Sequence, residues 1–120
     1  MLEILPLEDK VRQQSFCLQC GIAFEPQFMA YAAYRDGKLI GICQFEIASD
    51  KAHISSLYTT ESDQEAQKLL IFATLNFVDV SGIRYARCVS PNIDTLLLIS
   101  TGFEKIGTGA YEIDLQNLRE

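Results

Sequence analysis

The sequence predicts an α+β domain: a central mixed, mostly antiparallel sheet covered by helices. Three observations carry that prediction. Asp36-Gly37 sits between two apolar runs, the strongest short-range signal of a β-hairpin, because a type I′ turn needs positive φ at both central residues. After Ser62 the apolar period changes from two to the i, i+3, i+4 spacing of a helix. A strand–helix–strand unit then follows a three-strand meander, which requires a parallel pair inside an otherwise antiparallel sheet.

The elements follow in chain order. Residues 8–23 form a first helix with an imperfect apolar stripe of Val11, Phe16, Leu18 and Ile22, ended by Glu25-Pro26. Met29–Tyr34 and Leu39–Ile47 are the two strands of the hairpin, and Ala52–Thr59 completes the meander. From Asp63 to Ser81 runs a long helix whose apolar residues Ala66, Leu69, Leu70, Ala73, Phe77 and Val80 are widened by Ile71, Phe72, Leu75 and Val78, so much of its circumference is expected to be covered. Ser62-Asp63-Gln64-Glu65 has the form of a capping box, with Ser62 as the cap, and Gly82 is the stop. Arg84–Ser90 is a strand. Asn92 is expected to cap a short helix, Ile93 to Thr101, ended by Gly102, and Phe103–Ile106 and Ala110–Leu115 are the last two strands.

Composition bounds the function. At 120 residues the chain has room for one domain, 1–120, and its 48% hydrophobic content is ample for a core. Ten Lys+Arg against 16 Asp+Glu give a net charge of −6, and the basic residues are scattered singly. That excludes a basic face able to replace counterions on phosphate, so no nucleic acid is expected, and a basic or amine-bearing ligand suits the field better. No apolar run approaches the roughly 20 residues of a membrane span, and Met1–Pro6 lacks the basic start of a signal peptide.

Cysteine usage points to a reducing, cytoplasmic setting. Cys17 and Cys20 have the spacing of a zinc half-site, but the sequence offers no second pair of ligands and His53 is its only histidine. With Cys43 and Cys88 they are expected to be reduced, metal-free thiols.

The order and punctuation of these elements resemble the GNAT superfamily of acyl-CoA-dependent N-acetyltransferases, from about Met29 to Leu115. The resemblance lies in Asp36-Gly37-Lys38-Leu39-Ile40-Gly41 as the family hairpin, in Ile54-Ser55-Ser56-Leu57-Tyr58-Thr59 leading into the helix with Leu69-Leu70, and in Ser90-Pro91-Asn92 followed by Gly102-Phe103. It implies that the fourth and fifth strands of the family fold splay apart, that the pantetheine arm of acetyl-CoA lies in the gap, and that the pyrophosphate sits on the amides at the start of the long helix. On that basis Leu57, Tyr58, Thr59, Gln64, Ala66 and Asn92 are the cofactor-binding candidates. The partner expected is a small-molecule ligand in this groove, with no membrane; a homodimer built on the apolar final strands is a further reading.

The departures from the family pattern are specific. Where Gln/Arg-x-x-Gly-x-Gly/Ala is expected, the chain has Glu61-Ser62-Asp63-Gln64-Glu65-Ala66, and only Ala66 matches. Three carboxylates therefore surround the amides that would cradle a pyrophosphate. In the short helix, where many family members place a tyrosine as general acid, the chain has Leu96-Leu97-Leu98-Ile99-Ser100-Thr101. His53 and Glu46 are candidate bases or amine contacts, and neither is assigned as catalytic. The expectation is a GNAT-like domain with a degenerate acyl-CoA loop, noncatalytic or weakly catalytic and ligand-sensing; the alternative is a working N-acetyltransferase acting on a small amine.

Overall fold

Positive φ at Asp36 (54°) and Gly37 (81°) closes the hairpin as the sequence predicts. The computed structural model describes residues 1–89 and 93–118. In it β2 (Met29–Arg35) and β3 (Lys38–Ala48) pair antiparallel across that turn, and β4 (Lys51–Thr59) pairs antiparallel with β3. Helix α2 (Gln64–Val80) carries the chain over to β5 (Tyr85–Cys88), which runs parallel to β4. After α3 (Thr95–Thr101), β6 (Glu104–Gly107) and β7 (Ala110–Asp114) form a hairpin, with β7 inserted beside β5. With β1 (Leu2–Pro6) at one edge, the seven-stranded sheet has the order β1-β2-β3-β4-β5-β7-β6 and is antiparallel except at β4–β5.

Several expectations are corrected. Strand β1 (Leu2–Pro6), paired antiparallel to β2, precedes the first helix, where no strand is expected. Its residues have no partner until β2 lies beside them, so no local signal announces it. The first helix, α1, is shorter than 8–23: it spans Lys10–Cys20, starting at an Asp9 cap and stopping at Gly21, whose φ is 70°. The cap of α2 is Asp63 and not Ser62, which has φ 51° in a short 3-10 turn. Glu65 does not close a capping box; its carboxylate lies 3.4 Å from Arg35. Helix α3 starts at Thr95 with Asp94 as cap, while Asn92, the expected cap, lies outside the described residues. The last residues described form a short helix, α4 (Leu115–Leu118).

The two faces of the sheet are covered unequally. On one, α2 buries Ala66, Leu70, Ile71, Thr74, Leu75 and Val78 against Phe45, Ile54, Ala86, Cys88 and Ile113. Its outer side remains in solvent, including the stripe residues Leu69 and Val80, so α2 is covered on one side and not round most of its circumference. On the other face α1 places Phe16 and Cys17 over Ala30, Ala32 and Ile42. The α2-side core reaches from β1 to β7, whereas the α1-side core stops at Tyr58 of β4, and the candidate cavity lies where that α1 layer ends.

Candidate functional site

Strand β4 changes character at Ser55. Gln44 pairs with Ser56 and Phe45 with Ile54, so Ser55 is an extra residue that bends the strand, and its hydroxyl donates to the Gln44 carbonyl at 3.1 Å. The parallel pairing with β5 also stops there, at Ile54–Cys88. Beyond it, Ser55–Thr59 continue β4 with no β5 partner among the described residues; the segment after β5 that would form the other arm of the expected splay includes residues outside the described ones. A cavity of about 370 Å³ lies beside this segment, between residues 20–23 at the end of α1 and Ser55–Tyr58.

A buried amide fixes the floor of that cavity. Gln44 Oε1 accepts from Gln13 Nε2 at 2.8 Å and from the Cys17 thiol at 3.4 Å. Gln44 Nε2 donates to the Ala23 carbonyl at 2.8 Å and to Ser56 Oγ at 3.0 Å. Gln13 Nε2 also donates to the Phe28 carbonyl at 3.2 Å. Strand β3, helix α1, the α1–β2 loop and the bent half of β4 are thus tied through one side chain with no exposure to solvent. No buried polar side-chain atom among the described residues is left without a partner. Sequence reading places Gln44 only inside the strand Leu39–Ile47; the available signal is an amide within that apolar run.

Tyr58 closes the cavity from the β4 side. Its ring meets Phe16 edge-on at 6.3 Å between centroids. Negative charge on the neighbouring Cys20 sulfur pushes the phenol above its ordinary range, with burial and a hydrogen bond to Cys20 adding to the effect. Burial is the main cause that raises the Cys17 thiol, with Cys20 second.

The head of α2 is built differently from an open anion site. Glu61 and Ser62 both adopt left-handed backbone, at φ 64° and 51°, a conformation that costs non-glycine residues about 1 kcal/mol or more each. The turn delivers Asp63 onto the helix: Asp63 Oδ1 accepts from the Ala66 amide at 3.1 Å, and Oδ2 receives Arg35 Nη2 at 2.7 Å. The Ala66 amide, with Arg35 next, holds the Asp63 carboxyl below its usual range, and Asp63 and Glu65 raise the Arg35 guanidinium. A helix N-terminus that could receive a phosphate is occupied by the protein's own carboxylate.

The cofactor-binding candidates fall into two groups. Leu57 and Tyr58 line the cavity on opposite faces of β4, Leu57 in the α2-side core and Tyr58 against α1. Thr59, Gln64 and Ala66 gather at the head of α2; the Thr59 hydroxyl accepts from Gln67 Nε2 at 3.0 Å, Gln64 is exposed, and Ala66 is buried. Asn92 lies outside the described residues. His53 and Glu46 are paired across β3 and β4, with Arg87 on the other flank of His53, and none of the three lines the cavity. In α3, Ser100 Oγ and Thr101 Oγ1 both donate to the Leu97 carbonyl, at 2.9 and 2.8 Å, so their protons stay on the helix. No group of three or more His, Cys, Asp or Glu side chains among the described residues could hold a metal ion.

Solved structures share this architecture. An N-acetyltransferase from Staphylococcus aureus Mu50 superposes with a TM-score of 0.74 at 19% identity, covering 98% of this chain and 99% of that one. An acetyltransferase of the GNAT family from the same organism gives 0.73 at 11% identity, covering 96% and 99%. The PaiA N-acetyltransferase of Thermoplasma acidophilum, solved in complex with coenzyme A, gives 0.63 at 18%, covering 88% of this chain and 70% of that one. No family model and no curated protein matches the chain at the level of sequence. At these identities the likeness shows the fold alone. The chain has the fold of the GNAT N-acetyltransferases.

Proposed function

We propose that this chain is a GNAT-fold ligand-binding domain that keeps the groove of an acyltransferase but has closed its acyl-CoA pyrophosphate site with its own side chains. One observation carries the reading: Asp63 sits on the Ala66 amide and is held there by Arg35 at 2.7 Å. A pyrophosphate at this point would have to displace an ion-paired carboxylate and approach Glu61 and Glu65. The residues at the head of α2 therefore do not fit acetyl-CoA. The cavity at Ser55–Tyr58 is independent of that end and suits a small-molecule ligand, a basic or amine-bearing one best matching the net charge of −6. Buried thiols at Cys17, Cys43 and Cys88 support a reducing, cytoplasmic setting.

The test is calorimetric titration with acetyl-CoA at low salt. The wild-type chain is expected to show no binding at millimolar ligand, weaker than about −4 kcal/mol. The variant Glu61→Arg/Asp63→Gly/Gln64→Gly frees the Ala66 amide, leaves Arg35 only its 3.4 Å contact with Glu65 and removes two carboxylates, and is expected to gain measurable affinity. Its melting temperature is measured in parallel, since glycines in the first turn cost about 1 kcal/mol each. Low-micromolar binding by the wild type (about −8 kcal/mol) overturns the reading in favour of a working N-acetyltransferase for a small amine, holding CoA along β4. The edge of β4 beyond Ile54, which has no β5 partner among the described residues, and the cavity beside it support that second reading. A folded variant that still ignores acetyl-CoA shows that the groove itself excludes it.

A further inference from the structure

A second cavity lies beside the end of β1 and shares no lining residue with the groove. It encloses about 350 Å³, at the lower end of the range for small-ligand pockets. Its wall is aromatic. Tyr31 and Phe45 lie with their planes 13° apart and centroids at 6.4 Å, and Phe77 of α2 stands edge-on to both, at 6.2 and 5.7 Å. Met29 completes that wall. Phe77 remains 36% exposed although two rings lie within reach, because the space in front of it is open. Water held against such a surface is released favourably by an apolar occupant.

The mouth supplies a charge. Lys10 lines it, and the ammonium donates to the Phe28 carbonyl and, at 3.3 Å, to Gln13 Oε1. Those are two neutral oxygens for three protons, and no carboxylate of the described residues lies within 4 Å of the ammonium. Gln13 also holds Gln44, so Lys10 is anchored to a rigid network and its position is set before any ligand arrives. An apolar body in front of the rings with an anionic end on Lys10 satisfies both halves. We propose that this pocket binds a small monocarboxylic acid with an apolar body. Glu8, exposed at the same mouth, is the group that would favour an amine instead.

Protein-observed NMR on the full chain separates these choices with three probes of equal length: heptanoate, heptan-1-ol and heptylamine. Heptanoate is expected to shift the amides of Lys10, Tyr31 and Phe77, and to bind roughly five- to tenfold more tightly than the alcohol, the gain of one charge-assisted contact. Lys10→Met should abolish that difference and leave the alcohol's affinity unchanged; Lys10→Arg should retain the difference. Both changes are at an exposed position, and the dispersion of the unliganded spectrum checks that each variant is folded. The proposal is overturned if acid and alcohol bind equally to the wild type, if the amine binds best, if the shifts fall on Ser55–Tyr58, or if no probe binds up to about 10 mM. None of these outcomes depends on whether the groove accepts acetyl-CoA.

Discussion

Gln44 and the four cysteines show how single side chains set the behaviour of the site. Gln44 makes four hydrogen bonds in a setting with no water to replace them. Gln44→Leu is close in volume but strands the Ala23 carbonyl and part of the Gln13 amide, and each unsatisfied group costs about 1–3 kcal/mol. The expected loss is about 2–4 kcal/mol in urea unfolding; a loss below about 0.5 kcal/mol would mean that the network is not what holds the 21–28 loop over β4. The thiols differ by burial. Cys43 is pushed up to about 12 by desolvation, against the pull of the Thr74 hydrogen bond, and Cys17 and Cys88 are equally hidden. Only Cys20 reaches solvent, at the cavity wall. A thiolate-selective reagent is expected to modify Cys20 first in the native protein, and the other three only on unfolding. Prompt reaction of a second equivalent would contradict this.

Elements legible in the sequence are those whose cause is local. The Asp36-Gly37 turn and the change of period after Ser62 are written in neighbouring residues, and both elements stand where they are expected. Strand β1 was illegible because its partner lies some thirty residues away, Leu2 opposite Arg35. The cap moved from Ser62 to Asp63 because Glu61 and Ser62 take left-handed backbone, which no glycine advertises. The candidate site shows the same division. The carboxylates around the head of α2 could be read directly, whereas the Arg35–Asp63 pair and the Gln44 network join residues far apart in the chain. Gly41 gives a test at this scale. A Cβ there would meet Thr59 Cγ2 at 2.6 Å, the Tyr58 carbonyl at 2.9 Å and Leu70 Cδ1 at 3.3 Å. The β3–β4 pair and α2 close on this point with room for hydrogen only. Gly41→Ala is expected to cost about 1–3 kcal/mol in denaturant unfolding, since a backbone atom cannot rotate away. Unchanged stability would show that β3 and β4 separate freely near the groove.

At the scale of the whole molecule, ion pairs join elements that also share the α2-side core. Arg35–Asp63 links β2 to α2, Arg84–Asp114 links the start of β5 to β7, and Glu112 of β7 receives both Lys51 of β4 and Arg87 of β5. Burial pushes the Glu112 carboxyl up, but Lys51 and Arg87 together outweigh it, and the net shift is downward. Arg84 lowers Asp114, and the Ala66 amide and Arg35 lower Asp63. Each folded carboxyl thus releases its proton more readily than in the unfolded chain. Their stabilisation is present above the ordinary carboxylate range, roughly pH 4–4.5, and is lost as the pH falls below that range through the lowered folded values. Ten Lys+Arg then remain without counter-charges, and self-repulsion adds to the loss. The melting temperature is therefore expected to fall steeply from pH 5 to pH 3. Asp63→Asn/Glu112→Gln/Asp114→Asn removes the three charges while keeping an Asn cap on α2. The triple variant should melt roughly 4–8 °C below the wild type at pH 7, converge with it near pH 3, and show the shallower acid limb. Added salt should narrow the gap at pH 7, because these pairs are at least partly exposed. Two parallel curves across the whole range would mean that the pairs contribute nothing and that acid acts on the chain through net charge alone.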